Sequence, residues 1–186
     1  MVDPALAAAT VPADRRPHPG ADALGTWRQW LTRHPVGGVL LAGAVATHMA
    51  TMFGIWFHGI GLPDLNWPAV NGAVIFPKAD SVAQYWAGFV VHSLDGLVFA
   101  LLFALLVHPR LPFRNSNAGN VVKGMLYGTL LAVVSIGFMV PYVYFPHSGA
   151  GVFSTGFGFK LILAVFLWHW AYGFFLGTVY DPAEAD

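Results

Sequence analysis

The sequence predicts an all-α protein that crosses a membrane four times, because it combines an apolar composition, few charges and four long apolar stretches. The chain has 186 residues, of which 56% are hydrophobic and only 10% are charged. A soluble domain normally carries about 25% charged residues. Each of the four stretches approaches or exceeds the ~20 apolar residues that are needed to span ~30 Å of hydrocarbon. The predicted fold is therefore a four-transmembrane-helix bundle.

A more polar region precedes the first span. Residues 1–35 form an N-terminal tail, of which 1–25 is rich in Ala, Pro and Asp and is expected to be disordered or loosely docked. The stretch TWRQWLTRH at 26–34 combines two Trp with two Arg, which is typical of a short helix lying on the bilayer surface. The transmembrane domain is predicted to cover 36–180, and a short C-terminal tail covers 181–186.

The positions of the spans and of the basic residues predict the orientation of the chain. The four spans are predicted at 36–58, 82–107, 121–144 and 154–179. Basic residues cluster before span one and between spans two and three, whereas the opposite side holds only Lys78 and Lys160. Cytoplasmic loops are enriched in Lys and Arg, so both termini are expected on the cytoplasmic side of a bacterial inner membrane. The apolar outer loop at 59–81 is expected to pack on the helices or on a neighbouring subunit.

Spans two and four are similar around their histidines. The segment WAGFVVHSLDGLVF aligns without gaps with LAVFLWHWAYGFFL, and in each a histidine is followed four residues later by glycine. Spans one and three each begin with small residues at four-residue spacing, a pattern that lets helix backbones approach closely. These residues are Gly43, Thr47 and Thr51 in span one, and Gly124, Gly128 and Ala132 in span three. The pattern predicts a two-helix hairpin that occurs twice in the same direction.

This pattern resembles a group of uncharacterised bacterial and archaeal four-helix membrane proteins. Those proteins have His-x-x-x-Gly in spans two and four, which here corresponds to His92 with Gly96 and His169 with Gly173. The resemblance covers about 36–180. It implies the four-helix fold and implies no particular activity.

Ionisable side chains lie near the middle of the apolar stretches. They are His48, His92 and His169, with Asp95 one helical turn from His92. An ionisable group at the centre of a membrane costs about 2.5–3.5 kcal/mol even on lenient insertion scales. Such groups usually face the protein interior and have a partner there. The interpretation that the sequence favours is therefore a set of buried polar partners: the imidazoles hydrogen-bond across the bundle to Asp95, Ser93, Tyr172 or a backbone carbonyl, and Asp95 pairs with His92 or His169.

Three other interpretations of these residues remain open. His92 and His169 are at similar depth on two helices and could ligate a haem b axially. His48, Met52, His58 and His147 offer nitrogen and sulfur ligands that suit copper or another metal. Finally, His48, His92, Asp95 and His169 could form a proton or substrate pathway.

The sequence also limits the classes of function. Cysteine is absent, so disulfides, thiolate metal sites and thiol nucleophiles are excluded. The sequence contains no Gly-x-Ser-x-Gly, His-Glu-x-x-His or Walker motif, and no basic run suggests nucleic acid as a partner. We therefore expect a non-catalytic accessory or structural subunit of a larger membrane complex, respiratory or otherwise redox. Its partners would be other integral membrane subunits and lipids. No cofactor is expected, and the alternative is a haem- or copper-binding electron-transfer or metal-handling protein.

Overall fold

A computed structural model describes residues 19–182, and this part of the chain is helical without any strand. Four of its helices are long and apolar enough to cross a membrane, which confirms the all-α class and the four predicted apolar spans. The helices are α1 (Pro19–Arg33), α2 (Pro35–Ile55), α3 (Trp67–Ile75), α4 (Ser81–Arg110), α5 (Asn117–Tyr144) and α6 (Phe159–Val179), and α2, α4, α5 and α6 are the long ones. The predicted tail segments 1–18 and 183–186 lie outside the described residues.

Local chemistry explains where the long helices begin and end. Proline occupies the first position of α2, where its missing N–H costs nothing. The Asp80 carboxylate accepts hydrogen bonds from the backbone N–H groups of Ala83 and Val82, both at 3.0 Å, and so caps α4. The same two hydrogen bonds hold the pKa of the Asp80 carboxyl below its usual value. The Ser116 hydroxyl caps α5 by accepting from Gly119 N at 3.2 Å.

Two predicted helix ends are replaced by short 3₁₀ segments, whereas α4 extends past the predicted 107 to Arg110 and α5 begins at Asn117 instead of 121. Helix α2 ends at Ile55 instead of 58, since Phe57–Ile60 forms a 3₁₀ turn. Helix α6 begins at Phe159 instead of 154, since Val152–Phe157 forms another. Within the second segment Phe153 and Ser154 have positive φ angles of 52° and 58°, which an α-helix does not permit.

Helix α1 ties the N-terminal region to the end of the last span. The prediction of a disordered tail up to residue 25 is wrong for 19–25, because α1 already begins at Pro19. Arg28 donates from two nitrogens to the two carboxylate oxygens of Asp181 at 2.8 and 2.9 Å, and Trp27 Nε1 donates to Val179 O at 3.0 Å. Asp181 is 1% exposed, so the folded unit continues past the predicted boundary at 180.

Small residues bring the long helices into close contact. On α4, four residues at four-residue spacing are buried: Gly88, His92, Gly96 and Ala100. A Cβ atom added to Gly96 would overlap the Thr47 side chain on α2, and one added to Gly124 on α5 would overlap Gly173 O on α6. Both helix pairs therefore depend on residues that let the backbones approach.

The apolar loop at 59–81 packs on the helices of its own chain. It contains α3, which lies along the first half of α4 with the backbones of Gly72 and Gly88 in close contact. At the start of α3 the Trp67 ring packs against Tyr144 and Trp168, with centroid distances of 5.4 and 6.3 Å. The sequence predicted that this loop packs on the helices or on a neighbouring subunit. Within this chain, the loop packs on the helices.

The packing of the long helices leaves one side open. Helix α2 contacts both α4 and α6, and α6 contacts α5 along much of its length. In contrast, α4 meets α5 mainly at the α1 end, where Phe103 packs on Tyr127 and the Tyr127 hydroxyl donates to Phe99 O at 2.9 Å. At the other end α3 lies against α4 and touches the end of α5. A space remains between α4 and α5 in the middle of the structure.

We predict that Gly88→Ala destabilises the fold. The new Cβ would overlap Pro68 O and the Gly72 backbone, so α3 would have to move away from α4. We expect a loss of about 1–3 kcal/mol in the free energy of unfolding, measured by denaturation in detergent. The control is Gly59→Ala, whose added Cβ has no atom within 4 Å. Equal stability of the two variants would contradict the close α3–α4 packing.

Candidate functional site

A cavity of about 150 Å³ occupies the space between α4 and α5. Residues of α3, α4, α5 and α6 line it. A cavity of this volume is about the size that accommodates a benzene ring. Its polar lining residues are Asn71, His92, Asp95, Ser135, Tyr144 and His169. The cavity thus brings all three of the predicted buried polar partners to one place.

The opening of the cavity faces sideways between α4 and α5. Among the lining residues, Asp95 and Phe99 on α4 and Val134 on α5 are exposed. The residues of α6 at the back, such as His169 and Tyr172, are buried. A molecule dissolved in the bilayer would therefore reach the cavity laterally, between the two helices.

A distorted helical segment forms one wall of the cavity. Residues Ser135–Tyr144 of α5 form a π-helical stretch that contains Pro141, which has no N–H to donate. Ser135, Met139 and Tyr144 all lie on the cavity wall. Such π segments are wider than an α-helix and often occur at functional sites. Pro141 is the sequence signal for this wall, although it lies toward the end of the span.

His92 is bonded to helix α2 and not to Asp95. Its Nε2 lies 2.9 Å from Thr51 Oγ1, and the Thr51 hydroxyl itself donates to Thr47 O at 2.7 Å. Because a hydroxyl has one hydrogen, Thr51 must accept from His92, and His92 carries its proton on Nε2. In the neutral ring Nδ1 then has a free lone pair. It makes no hydrogen bond within residues 19–182.

His169 is oriented by its own helix. Its Nδ1 lies 2.7 Å from Val165 O, and since a carbonyl can only accept, Nδ1 carries the proton. Nε2 therefore has the lone pair in the neutral ring, and it makes no hydrogen bond in the described part of the chain. The Trp168 ring contacts both histidine rings, at centroid distances of 5.5 Å from His92 and 4.9 Å from His169.

Asp95 differs from both histidines because it has no partner. Among the residues that the structure describes, its carboxylate takes part in no hydrogen bond and no ion pair. The predicted hydrogen bonds from Asp95 to His92 and His169 are therefore not formed, since both imidazole N–H groups donate elsewhere. The three side chains share a cavity without bonding to one another.

The proposed metal ligands do not converge. His48 is exposed on α2, where its Nδ1 donates to Ala44 O at 2.7 Å, so its predicted interior position is wrong. Met52 is 58% exposed, and His147 is exposed on a loop. His58 bonds through Nδ1 to the Asp64 carboxylate at 2.9 Å. Residues 19–182 contain no group of three or more His, Asp or Glu side chains that could hold one metal ion.

Asp64 shows how His58 is held outside the membrane-spanning helices. Its carboxylate accepts from the His58 backbone N–H and from the ring, both at 2.9 Å. The backbone hydrogen bond is the larger cause, followed by the side-chain one, and together they hold the pKa of the Asp64 carboxyl below its usual value. His58 therefore belongs to a surface turn.

The geometry gives little support to haem. The cavity between His92 and His169 has the volume of a single ring, whereas a porphyrin is built from four pyrrole rings. In addition, the His92 nitrogen that could face a ligand is Nδ1, because Nε2 donates to Thr51.

Two further polar groups near the cavity are sealed from it. The indole nitrogens of Trp67 and Trp168 are buried and have no hydrogen-bond partner within residues 19–182. A Cβ on Gly54 would lie 3.1 Å from Trp168 Nε1, so this nitrogen faces helix α2. The polar groups that line the cavity therefore include acceptors, namely a carboxylate and two imidazole lone pairs, and also the donor groups of Asn71, Ser135 and Tyr144.

Comparisons of the chain with protein-family models, with curated proteins and with solved structures find no match. The chemistry of the cavity is therefore derived from its own residues.

We predict that Thr51→Val destabilises the protein by about 1–3 kcal/mol, because it leaves the buried His92 N–H without an acceptor. The measurement is unfolding in detergent. The matched control is Thr178→Val, since the exposed Thr178 hydroxyl bonds only to Phe174 O on its own helix. If both variants lose the same small amount, the assigned His92–Thr51 hydrogen bond is wrong.

Proposed function

We propose that this chain is a non-catalytic membrane subunit that binds a small, bilayer-dissolved molecule in the lateral cavity and serves a larger membrane complex. The observation that carries the proposal is the cavity itself. Ligand sites are typically concave, largely apolar and equipped with a few convergent polar groups. This cavity has aromatic walls, one carboxylate and two oriented imidazoles, and it opens where a membrane solute would enter.

The surface around the opening supports the proposal that the chain belongs to a larger membrane complex. Helix α4 is the least buried of the four long helices. Its exposed face carries Asp95 between Leu94 and Val98, which are 55% and 53% exposed. A carboxylate facing lipid is costly, and a neighbouring subunit beside the opening would reduce the contact of Asp95 with lipid while the opening stays accessible. The sequence-based expectation that this complex is respiratory or otherwise redox stays a prediction, and so does the alternative of haem or copper binding.

We also propose that the four long helices form one bundle made of two copies of a helical hairpin. In the first hairpin Gly43 on α2 meets the carbonyl of Gly96, and in the second Gly124 on α5 meets the carbonyl of Gly173. Gly96 and Gly173 occupy equivalent positions in the sequence alignment, and Gly43 and Gly124 are each the first of the small residues at four-residue spacing in their span. In both hairpins the glycine that follows the histidine by four residues therefore contacts the small residues of its partner helix, α2 or α5.

The proposal includes an orientation with both termini on the cytoplasmic side of a bacterial inner membrane. The end of the structure that carries α1 also holds Arg28, Arg33, Arg110 and Arg114, and the α3 end has Lys78 and Lys160. The distribution of basic residues supports this orientation.

We predict that Val134→Trp prevents ligand loading. Val134 lies at the opening of the cavity, so an indole there would block the entrance between α4 and α5. Native mass spectrometry after mild detergent extraction should detect a bound small molecule on the wild type and little on this variant. The control is Val133→Trp, because Val133 is also exposed on α5 but does not line the cavity. The same bound mass on all three proteins would argue against ligand binding in the cavity.

For the subunit part of the proposal, we predict that the tagged chain is recovered in a larger membrane assembly after mild extraction. Chemical crosslinks from a cysteine at position 94, on the exposed face of α4, should reach another protein. The chain contains no natural cysteine, so the label is specific. Recovery only as a stable monomer without crosslinks at this position would refute the subunit role.

A further inference from the structure

The charge of the cavity indicates which kind of molecule it binds. Asp95 is the only acidic residue within the sequences of the four long helices, and no Lys or Arg lines the cavity. The carboxylate has no ion pair or hydrogen bond among the described residues. In a low-dielectric environment an unpaired carboxylate is expensive, and a bound cation would offset that cost.

The hydrogen-bonding capacity of the two histidines points in the same direction. Because His92 donates through Nε2 and His169 donates through Nδ1, each neutral ring offers its other nitrogen as an acceptor. Both rings lie on the cavity wall with Asp95. A ligand that carries N–H donors finds three acceptors here, the Asp95 carboxylate and the two imidazoles, while Asn71, Ser135 and Tyr144 can both donate and accept.

The aromatic walls suit a positive charge as well. Five rings line the cavity: Trp67, Phe99, Tyr144, Trp168 and Tyr172. Trp67 packs at 5.4 Å from Tyr144, and Trp168 is stacked at 6.2 Å on Tyr172. Aromatic faces attract ammonium groups, and this attraction increases when the group is removed from water.

We propose that the cavity binds an organic ammonium ion, namely a protonated amine attached to an apolar body. The ammonium group pairs with the Asp95 carboxylate, its N–H groups donate to imidazole lone pairs, and the aromatic rings surround it. A cavity of about 150 Å³ can accommodate the ammonium head of such a molecule, and its apolar part extends out through the opening between α4 and α5. This inference rests on the proposed function, because it names the ligand class of the same cavity.

The test compares three eight-carbon probes on the purified full-length chain in non-ionic detergent at neutral pH. The probes are octylamine, octanol and octanoate, and binding is measured by calorimetry and by the rise in unfolding temperature. We expect octylamine to bind saturably and about tenfold or more tightly than octanol, because a charge-assisted hydrogen bond is roughly twice as strong as a neutral one. The wild-type chain alone can overturn the proposal. It would do so if octylamine and octanol bound with equal affinity, or if octanoate bound more tightly than octylamine.

Variants on the same helix test the role of the carboxylate. Asp95→Asn should reduce octylamine affinity about tenfold or more and leave octanol affinity unchanged. The matched control is Ser93→Ala, since the Ser93 hydroxyl bonds to Phe89 O on its own helix and does not line the cavity. It should bind octylamine like the wild type. An unchanged octylamine affinity in Asp95→Asn would overturn the assigned pairing.

Two outcomes separate this inference from the proposed function. If Val134→Trp loses its bound molecule but the three probes bind alike, the ammonium class is wrong and the ligand site stands. If no probe binds and Val134→Trp carries the same bound molecule as Val133→Trp, both proposals fail.

The ammonium group could belong to a lipid or to a free amine, and a bilayer experiment distinguishes these sources. In nanodiscs of phosphatidylglycerol, added phosphatidylethanolamine should displace octylamine if the natural ligand is an aminolipid headgroup. It should not displace octylamine if the natural ligand is a free lipophilic amine. If octanol binds to the chain in these nanodiscs and octylamine does not, the ammonium assignment is wrong.

Discussion

The close approach of helix backbones at glycine is the constraint on which the rest of this structure depends. Helices in a membrane gain no hydrophobic free energy from pairing with one another, so they associate through van der Waals packing between small residues. Gly96 against α2 and Gly124 against α6 provide that packing in the two helix pairs. Helix α4 also uses Gly88 to pack against α3. Helix α3 lies along the first part of α4 and contacts the end of α5, and the cavity forms in the space that remains between α4 and α5.

Within these helices most polar side chains form hydrogen bonds to the backbone of their own helix. The hydroxyls of Thr47, Ser93 and Thr178 and the imidazole of His48 all bond to carbonyls four residues earlier on their own helices. This arrangement lets a polar residue lie in an apolar helix without a partner elsewhere. Asp95 cannot do the same, because an ionised carboxylate is only an acceptor and the helix interior offers it no free N–H. Asp95 therefore lies on the cavity wall without a hydrogen-bond partner among the described residues.

The sequence predicted the parts of the structure that depend on residue spacing along one helix. The four apolar spans and the buried faces with Gly88, His92 and Gly96 follow from length and period. The exposure of His48 could have been predicted in the same way, because it follows Thr47 by one residue and so points about 100° away from the buried face. In contrast, the bond of His92 to Thr51 depends on where α2 lies, and the π-helical wall depends on packing around Pro141. The residue spacing along a single helix therefore predicts neither Thr51 as the partner of His92 nor the π-helical segment of α5.

The two proposed hairpins differ in their loops, and this difference bears on the position of the cavity between α4 and α5. Residues 56–80 join α2 to α4 and include α3, whereas 145–158 join α5 to α6 by a 3₁₀ segment. Under the proposed duplication, the α2–α6 and α4–α5 interfaces would be equivalent. Helix α3 removes that equivalence, because it packs along α4 and places Trp67 against Tyr144 of α5. The α2–α6 side remains in contact, while the α4–α5 side encloses His92, Asp95 and the aromatic rings in a cavity open to the bilayer. The longer first loop therefore makes the α4–α5 side of the structure different from the α2–α6 side.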